Sequence, residues 1–360
     1  MPFRAVAPNL DKVPHSNDFF DTVKFRYHEY AAEGLFQSTE PEAIYIYQIK
    51  DASGKKSTGL IAATDIENYF DGAMKPHEKT IVTNENLQSE LLSIRGASIK
   101  PILLTYPAIP ELKELINNYI DNHKKFYVIE LGQEKHRFWQ ITEGAILTKV
   151  RQIFHEKIPF VYIADGHHRS ASFAALHQNA PTDKTDKMLT AYFPENALEI
   201  HSFNRVVTDL NGLTADELLQ KLKVEFKIKV LKEGELPYAK FEIVMFLDNQ
   251  WFQLNWRKDV LKHFADENLV RLDTHLLNEK VLKPMLGIKN IREDARMKYI
   301  DGLQGYEKVA AVTGTEGVGF CLYPVELEDL KAVVDSGGTL PPKSTFFEPR
   351  LKNGLLVYEI

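Results

Sequence analysis

Phe160-Val161-Tyr162-Ile163-Ala164-Asp165-Gly166-His167-His168-Arg169 is the stretch on which the reading of this chain turns. Its first half is a short, continuous β-branched and aromatic run, the pattern of a buried strand. Ser170 to His177, which follow, are small and helix-forming residues. The unit is therefore strand, tight turn, helix, with the polar cluster Asp165 to Arg169 at the turn. A helix start exposes unpaired N–H groups and a partial positive charge, so phosphate or carboxylate is bound well there. Gly166 permits close backbone approach, Arg169 offers a bidentate fork for phosphate oxygens, and His167 and His168 titrate near neutrality. Asp165 could orient an imidazole, bind a divalent ion or act as a base. The bland alternative is a helix cap with surface histidines.

Outward from this stretch, hairpins and helices mix without a βαβ rhythm. Ala43 to Gln48 and Gly59 to Ala63 flank Asp51-Ala52-Ser53-Gly54, and Phe126 to Leu131 and His136 to Ile141 flank Gly132, which predicts two hairpins. Between them Leu112, Leu115, Ile116, Tyr119 and Ile120 keep helical spacing behind Pro110. Thr214 and Glu217 form a capping-box pattern. Phe241 to Leu247 and Trp251 to Trp256 predict a third hairpin around Asp248-Asn249, and Leu327 to Val334 a late helix stopped by Gly337-Gly338. Gly314, Gly317 and Gly319, between Val309-Ala310-Ala311-Val312 and Phe320-Cys321-Leu322, are expected to make a hairpin loop. The fold class is α+β with mixed, largely antiparallel sheets. The boundary is placed near Pro194 to His201, giving regions 1–197 and 198–360.

The 360 residues are 44% hydrophobic, with 44 Lys+Arg against 50 Asp+Glu and a net charge of −6, which excludes a largely disordered or fibrous chain. The mild acidity counts against a protein that coats nucleic acid. The single Cys321 rules out an intrachain disulfide or a cysteine-based zinc site, and its apolar strand makes it an inert core residue. No run approaches the ~18 apolar residues of a membrane span, and the first residues lack the apolar stretch of a signal peptide. A cytoplasmic protein without a membrane partner is expected. Trp139, Trp251 and Trp256 alternate along strands, as packing residues do. The chain contains no P-loop, dinucleotide-binding glycine motif, His-Glu-x-x-His or nucleophile elbow.

Two further polar clusters carry chemistry. Lys75-Pro76-His77-Glu78-Lys79-Thr80 groups a base, a carboxylate, cations and a hydroxyl, and gains meaning if the fold brings it to the Asp165 turn. In Pro341-Pro342-Lys343-Ser344-Thr345 the prolines stiffen the backbone ahead of a cation and two hydroxyls suited to phosphate.

These three motifs, in this order, resemble the domain-of-unknown-function 1015 family over nearly the whole chain. Phe3-Arg4-Ala5, Phe203-Asn204-Arg205-Val206-Val207, Leu282 to Ile288 and Phe346-Phe347-Glu348-Pro349 add to the resemblance. The chain departs from it at Ser170, where many members carry an aromatic residue, and at Val13 to Asp18, where members usually show a Pro-Pro-Tyr-Asp-like segment. The Asp-Gly-His-x-Arg turn is also similar to the nucleotide-phosphate loop of the ParB and sulfiredoxin superfamily, which includes free-serine kinases. That resemblance implies a ParB/sulfiredoxin-like nucleotide-binding core, ATP or ADP with Mg²⁺ as cofactors, and serine or phosphoserine as substrate. The cysteine of sulfiredoxin-type repair is absent between Asp165 and Arg169.

The expected activity is a nucleotide-dependent phosphotransferase on a small hydroxylated metabolite. Catalytic candidates are Asp165, His167, His168 and Glu78. Binding candidates are Gly166, Arg169, His77, Lys79, Thr80, Lys343, Ser344 and Thr345. A phosphomonoesterase and a non-catalytic nucleotide-sensing or DNA-associated protein are the alternatives.

Overall fold

The computed structural model describes residues 1–79, 82–265 and 272–360. Thr80 lies outside them. The chain divides into two units, the first made of Met1–Glu199 with Pro349–Ile360 and the second of Ile200–Glu348. The carboxyl-terminal segment thus rejoins the first unit, where Val357 bridges Val6 and Tyr358 pairs with Ser98.

The first unit is built on strands β1 (Ile44–Lys50), β2 (Lys56–Asp65), β3 (Met74–Lys75), β4 (Ile102–Tyr106), β5 (Tyr127–Leu131), β6 (Glu134–Ile141), β7 (Val161–Asp165) and β8 (Lys187–Pro194). Among the described residues they form one sheet in the order β3-β7-β4-β8-β2-β1-β6-β5. Only the β3–β7 and β4–β8 pairings are parallel, so the sheet is mixed and largely antiparallel. Its central strands are largely apolar because both faces are covered: β4, Ile102-Leu103-Leu104-Thr105-Tyr106, is buried at every residue. The longer helices that accompany it among the described residues are α1 (Asn17–Ala32), α2 (Val82–Arg95), α3 (Pro110–Asn122), α4 (Gly144–Lys157) and α5 (His167–Asn179). Pro110 opens α3 as the sequence predicts, since a first-turn residue has no N–H partner to lose. Helix α5 packs on α2 and against β4, which places its amino terminus at the carboxyl end of β7.

The second unit holds β9 (Phe203–Val207), α6 (Ala215–Glu225), β10 (Phe226–Leu231), β11 (Glu242–Leu247), β12 (Gln250–Trp256), β13 (Met297–Asp301), α7 (Gly305–Thr313), β14 (Val318–Leu322) and α8 (Leu327–Asp335). Its sheet runs β10-β12-β11-β14-β9-β13, antiparallel at every pairing. Strand alternation sorts the core: Val207, Ile243, Met245 and Phe320 face Leu218 and Leu222 of α6, whereas Val206, Val244 and Cys321 pack with Val309 of α7. Both halves of the Thr214–Glu217 capping box are present. Asp248 and Asn249 take φ values of 47° and 57°, as a two-residue turn between twisted strands requires.

One expectation is corrected. Val309-Ala310-Ala311-Val312 lies in helix α7 and not in a strand, so Gly314 to Gly319 form a helix-to-strand turn and the start of β14. Four apolar residues read alike in either state, and Val309 is the one that meets the sheet. Cys321 is buried, and desolvation pushes its thiol up to about 12, an inert core residue as expected. Among the described residues no helix is long and apolar enough to cross a membrane.

Candidate functional site

Gly166 forms the corner between β7 and α5. Its φ of 105° lies in the left-handed region, and it caps α5 without any side-chain hydrogen bond. A Cβ built on Gly166 would stand 2.8 Å from Nη2 of Arg169, so the position needs glycine for its dihedral and for its space. Gly166→Ala is expected to destabilise the protein by about 1–2 kcal/mol for the left-handed residue alone, and to displace the guanidinium. Chemical denaturation at neutral pH measures it.

Around this corner a single carboxylate gathers three cations. Asp165 Oδ2 accepts from Arg169 Nη2 at 2.7 Å and stands 3.6 Å from Lys100 Nζ, while Oδ1 accepts from Arg350 Nη1 at 3.2 Å. Burial alone would raise the Asp165 carboxyl, but Arg169, Lys100 and Arg350 together hold it well below the usual carboxylate range. Arg169 is further fixed by Nη1, which donates to the carbonyls of Lys100 (3.0 Å) and Pro101 (2.6 Å). Lys100 is lowered to about 8 by desolvation first and then by the neighbouring Arg169. Three positive groups against one negative leave an excess of positive charge at a helix amino terminus, which is how an anion site is built.

The Lys75 to Lys79 segment reaches the same place. β3 runs parallel to β7, with Tyr162 opposite Lys75, and the backbone N–H of His77 donates to Nε2 of His167 at 3.3 Å. The two imidazoles meet edge-on with centroids 4.3 Å apart. Because Nε2 accepts, His167 carries its proton on Nδ1 and is neutral. Burial lowers His77 to about 4 and drives His167 well below its ordinary value. Both rings are buried; they tie the β3 loop to the turn. His168 is half-buried, and its carbonyl accepts from Ser172 Oγ at 2.6 Å. Glu78 is half-buried and Lys79 exposed on the same loop.

The buried pair sets a pH dependence. An unfolded chain protonates these histidines near 6.5, whereas folded His77 resists protonation until about pH 4. The folded protein therefore binds fewer protons in that interval. Stability is complete above about pH 6.5 and falls as pH drops toward about 4, by up to about 3 kcal/mol from His77. Urea unfolding at about pH 7.5 and about pH 5 should show the drop, and His77→Gln should shrink it.

Lys343, Ser344 and Thr345 belong to the second unit. There Lys343 adopts a φ of 55° and its carbonyl accepts from Arg205, while the buried Ser344 hydroxyl donates to the carbonyl of Pro341 at 2.6 Å. A resident Mg²⁺ does not fit the Asp165 cluster, whose carboxylate is already ringed by cations. Among the described residues no three His, Cys, Asp or Glu side chains gather to hold a metal. Sequence reasoning missed Lys100 and Arg350. Arg350 directly follows the Phe346 to Pro349 stretch, but nothing local ties either residue to a turn far away in the chain.

The molecule is thus an α+β protein with a cation-rich turn at the head of a helix. A family model described as a protein of unknown function (DUF1015) matches residues 6–275, and the chain belongs to that family. No curated protein matches it. Among solved structures it is similar to SbnI with a carboxyl-terminal truncation from Staphylococcus aureus, at 16% identity and a TM-score of 0.46, over 81% of this chain and 85% of that one. It is also similar to a free serine kinase variant in complex with ADP, at 15% identity and a TM-score of 0.40, over 80% and 87% of the two chains. A conserved hypothetical protein from Pyrococcus furiosus follows at 14% identity and a TM-score of 0.39, over 80% and 90%.

Proposed function

We propose that the protein is a nucleotide-dependent phosphotransferase acting on a small hydroxylated metabolite, L-serine or phosphoserine, with ATP or ADP bound by its phosphates at the Gly166 turn. The observation that carries this reading is the excess of positive charge around Asp165, set against the amino terminus of α5. Phosphoryl transfer asks chiefly for charge neutralisation and positioning. Backbone N–H groups from Gly166 to Arg169 cradle the phosphates, Arg169 neutralises their charge and His168 adds a hydrogen bond. His77 and His167 act as a neutral scaffold for the loop that carries Glu78 and Lys79.

The residue roles divide on electrostatics. A carboxylate held low by three cations is a poor proton acceptor, so Asp165 anchors the cations and Glu78 takes the proton of the substrate hydroxyl. In this reading His167, whose Nε2 accepts from the His77 N–H, serves as scaffold and not as a base.

Thermal unfolding of the protein with AMP, ADP and ATP tests the reading, since a ligand at about 100 times its Kd adds about 2.7 kcal/mol. A rise in Tm with at least one nucleotide is expected, followed by phosphate exchange between that nucleotide and serine or phosphoserine. A flat response to every nucleotide overturns it.

A further inference from the structure

Beside the Asp165 turn lies a cavity of about 220 Å³, bounded by residues of α1, α2, α5 and the approach to β4. Four cations line it, Lys24, Arg95, Lys100 and Arg169, and among the described residues no Asp or Glu does. Asp165 pairs with Arg169 and Lys100 without being part of the lining. Arg95 and Lys24 have no carboxylate within ion-pair distance among the described residues: Arg95 donates to the carbonyls of Ala97 and Lys24, and Lys24 Nζ lies 4.7 Å from the centre of the Phe25 ring. Burial weighs on this group, lowering Arg95 and Lys100 below their ordinary values. Arg95 is half-buried and Lys24 exposed, neither with a carboxylate partner among the described residues, while Lys100 and Arg169 share the one carboxylate of Asp165, so four cations face the cavity against a single negative charge and an anion there would meet them together. The opposite wall is apolar, with Leu92 and Phe173. The volume is enough for a small organic acid.

We propose that this cavity is a second binding site, for a small, multiply anionic acid, with Lys24 and Arg95 holding the charged end farther from the turn and Lys100 and Arg169 the end nearer to it. It deepens the phosphotransferase reading, on which it rests for the class of ligand, by assigning the phosphorylated acid a place distinct from the nucleotide's phosphates. An acid of net charge near −2 is selected over the zwitterion of the free amino acid by charge alone. Arg169 borders both sites, so the two ligands meet there.

Isothermal titration without nucleotide tests it, with L-phosphoserine, citrate and L-serine as probes on the wild type, Lys24→Glu and Lys24→Arg, and ADP titrated in parallel. Lys24 is exposed, so both variants are expected to fold. Phosphoserine should bind at least about tenfold tighter than serine, lose about tenfold or more in Lys24→Glu, recover in Lys24→Arg and weaken as salt is raised. ADP affinity should be the same in all three proteins. Citrate binding as well as phosphoserine supports the site and makes carboxylates its source of charge; phosphoserine binding alone supports it and makes phosphate the source. Failure of both acids to bind, or binding that Lys24→Glu leaves unchanged, overturns the proposal. Phosphoserine binding without any ADP binding keeps the cavity and overturns the phosphotransferase.

Discussion

Asp165→Asn is expected to lower stability by about 3–5 kcal/mol at neutral pH, the cost of leaving partly buried charges without their partner. The substitution keeps the shape of the side chain, removes its charge and turns one of its two acceptor oxygens into a donor, so Arg169, Lys100 and Arg350 repel one another and one of the two arginines loses its acceptor. Arg169 keeps its bonds to the carbonyls of Lys100 and Pro101, and the corner at Gly166 keeps its dihedral. The loss is therefore mainly electrostatic, with one arginine hydrogen bond added to it, and high concentrations of sulfate or phosphate should recover part of it by supplying the missing negative charge. The sign of the pH dependence follows. The folded carboxyl sits below its unfolded value, so its contribution is complete above about pH 4 and is lost as pH falls toward the depressed folded value. Wild type and variant should differ at neutral pH and converge in strong acid. A loss under about 1 kcal/mol in urea unfolding at pH ~7 would show that the three cations do not depend on Asp165.

Arg169→Ala carries the second large effect, on binding. Its guanidinium is the group nearest the helix start that can neutralise a phosphate, and a charge-assisted hydrogen bond contributes about 1.5–3 kcal/mol. Nucleotide affinity should fall by about tenfold to 150-fold. The fold should survive, because Asp165 retains Lys100 and Arg350. Arg169→Lys keeps the charge and loses the fork, so it should fall between wild type and Arg169→Ala. Titration calorimetry with ADP measures all three, and an unchanged affinity in Arg169→Ala would remove the guanidinium from the nucleotide's contacts.

The two residues were legible for different reasons. Asp165 and Arg169 stand four apart across a strand-turn-helix, so local geometry alone joins them. His77 was legible as a chemical type, but its meeting with His167 needed the pairing of β3 with β7, two strands separated by three helices and three strands of the same sheet. Lys100 and Arg350 were not legible at all. Each is an ordinary surface-type residue in sequence, and only the packing of the β4 approach and the returning carboxyl-terminal segment turns them toward one carboxylate. The Val309 to Val312 run failed for a related reason: with four apolar residues, burial against a neighbour decides between helix and strand.

Backbone chemistry accounts for what could be read without coordinates. Turn residues, capping pairs and strand alternation act over a few neighbours, so the three hairpins, the Pro110 helix, the Thr214 cap and the turn at Gly166 are inscribed in local sequence. The balance of charge at the site is of another kind. It sums groups at positions 100, 165, 169 and 350, whose distances in the chain carry no information about their distances in space. Long-range packing of a mixed sheet brings them within a few ångströms, and there Coulomb forces in a partly buried setting make one carboxylate and three cations a single charged cluster.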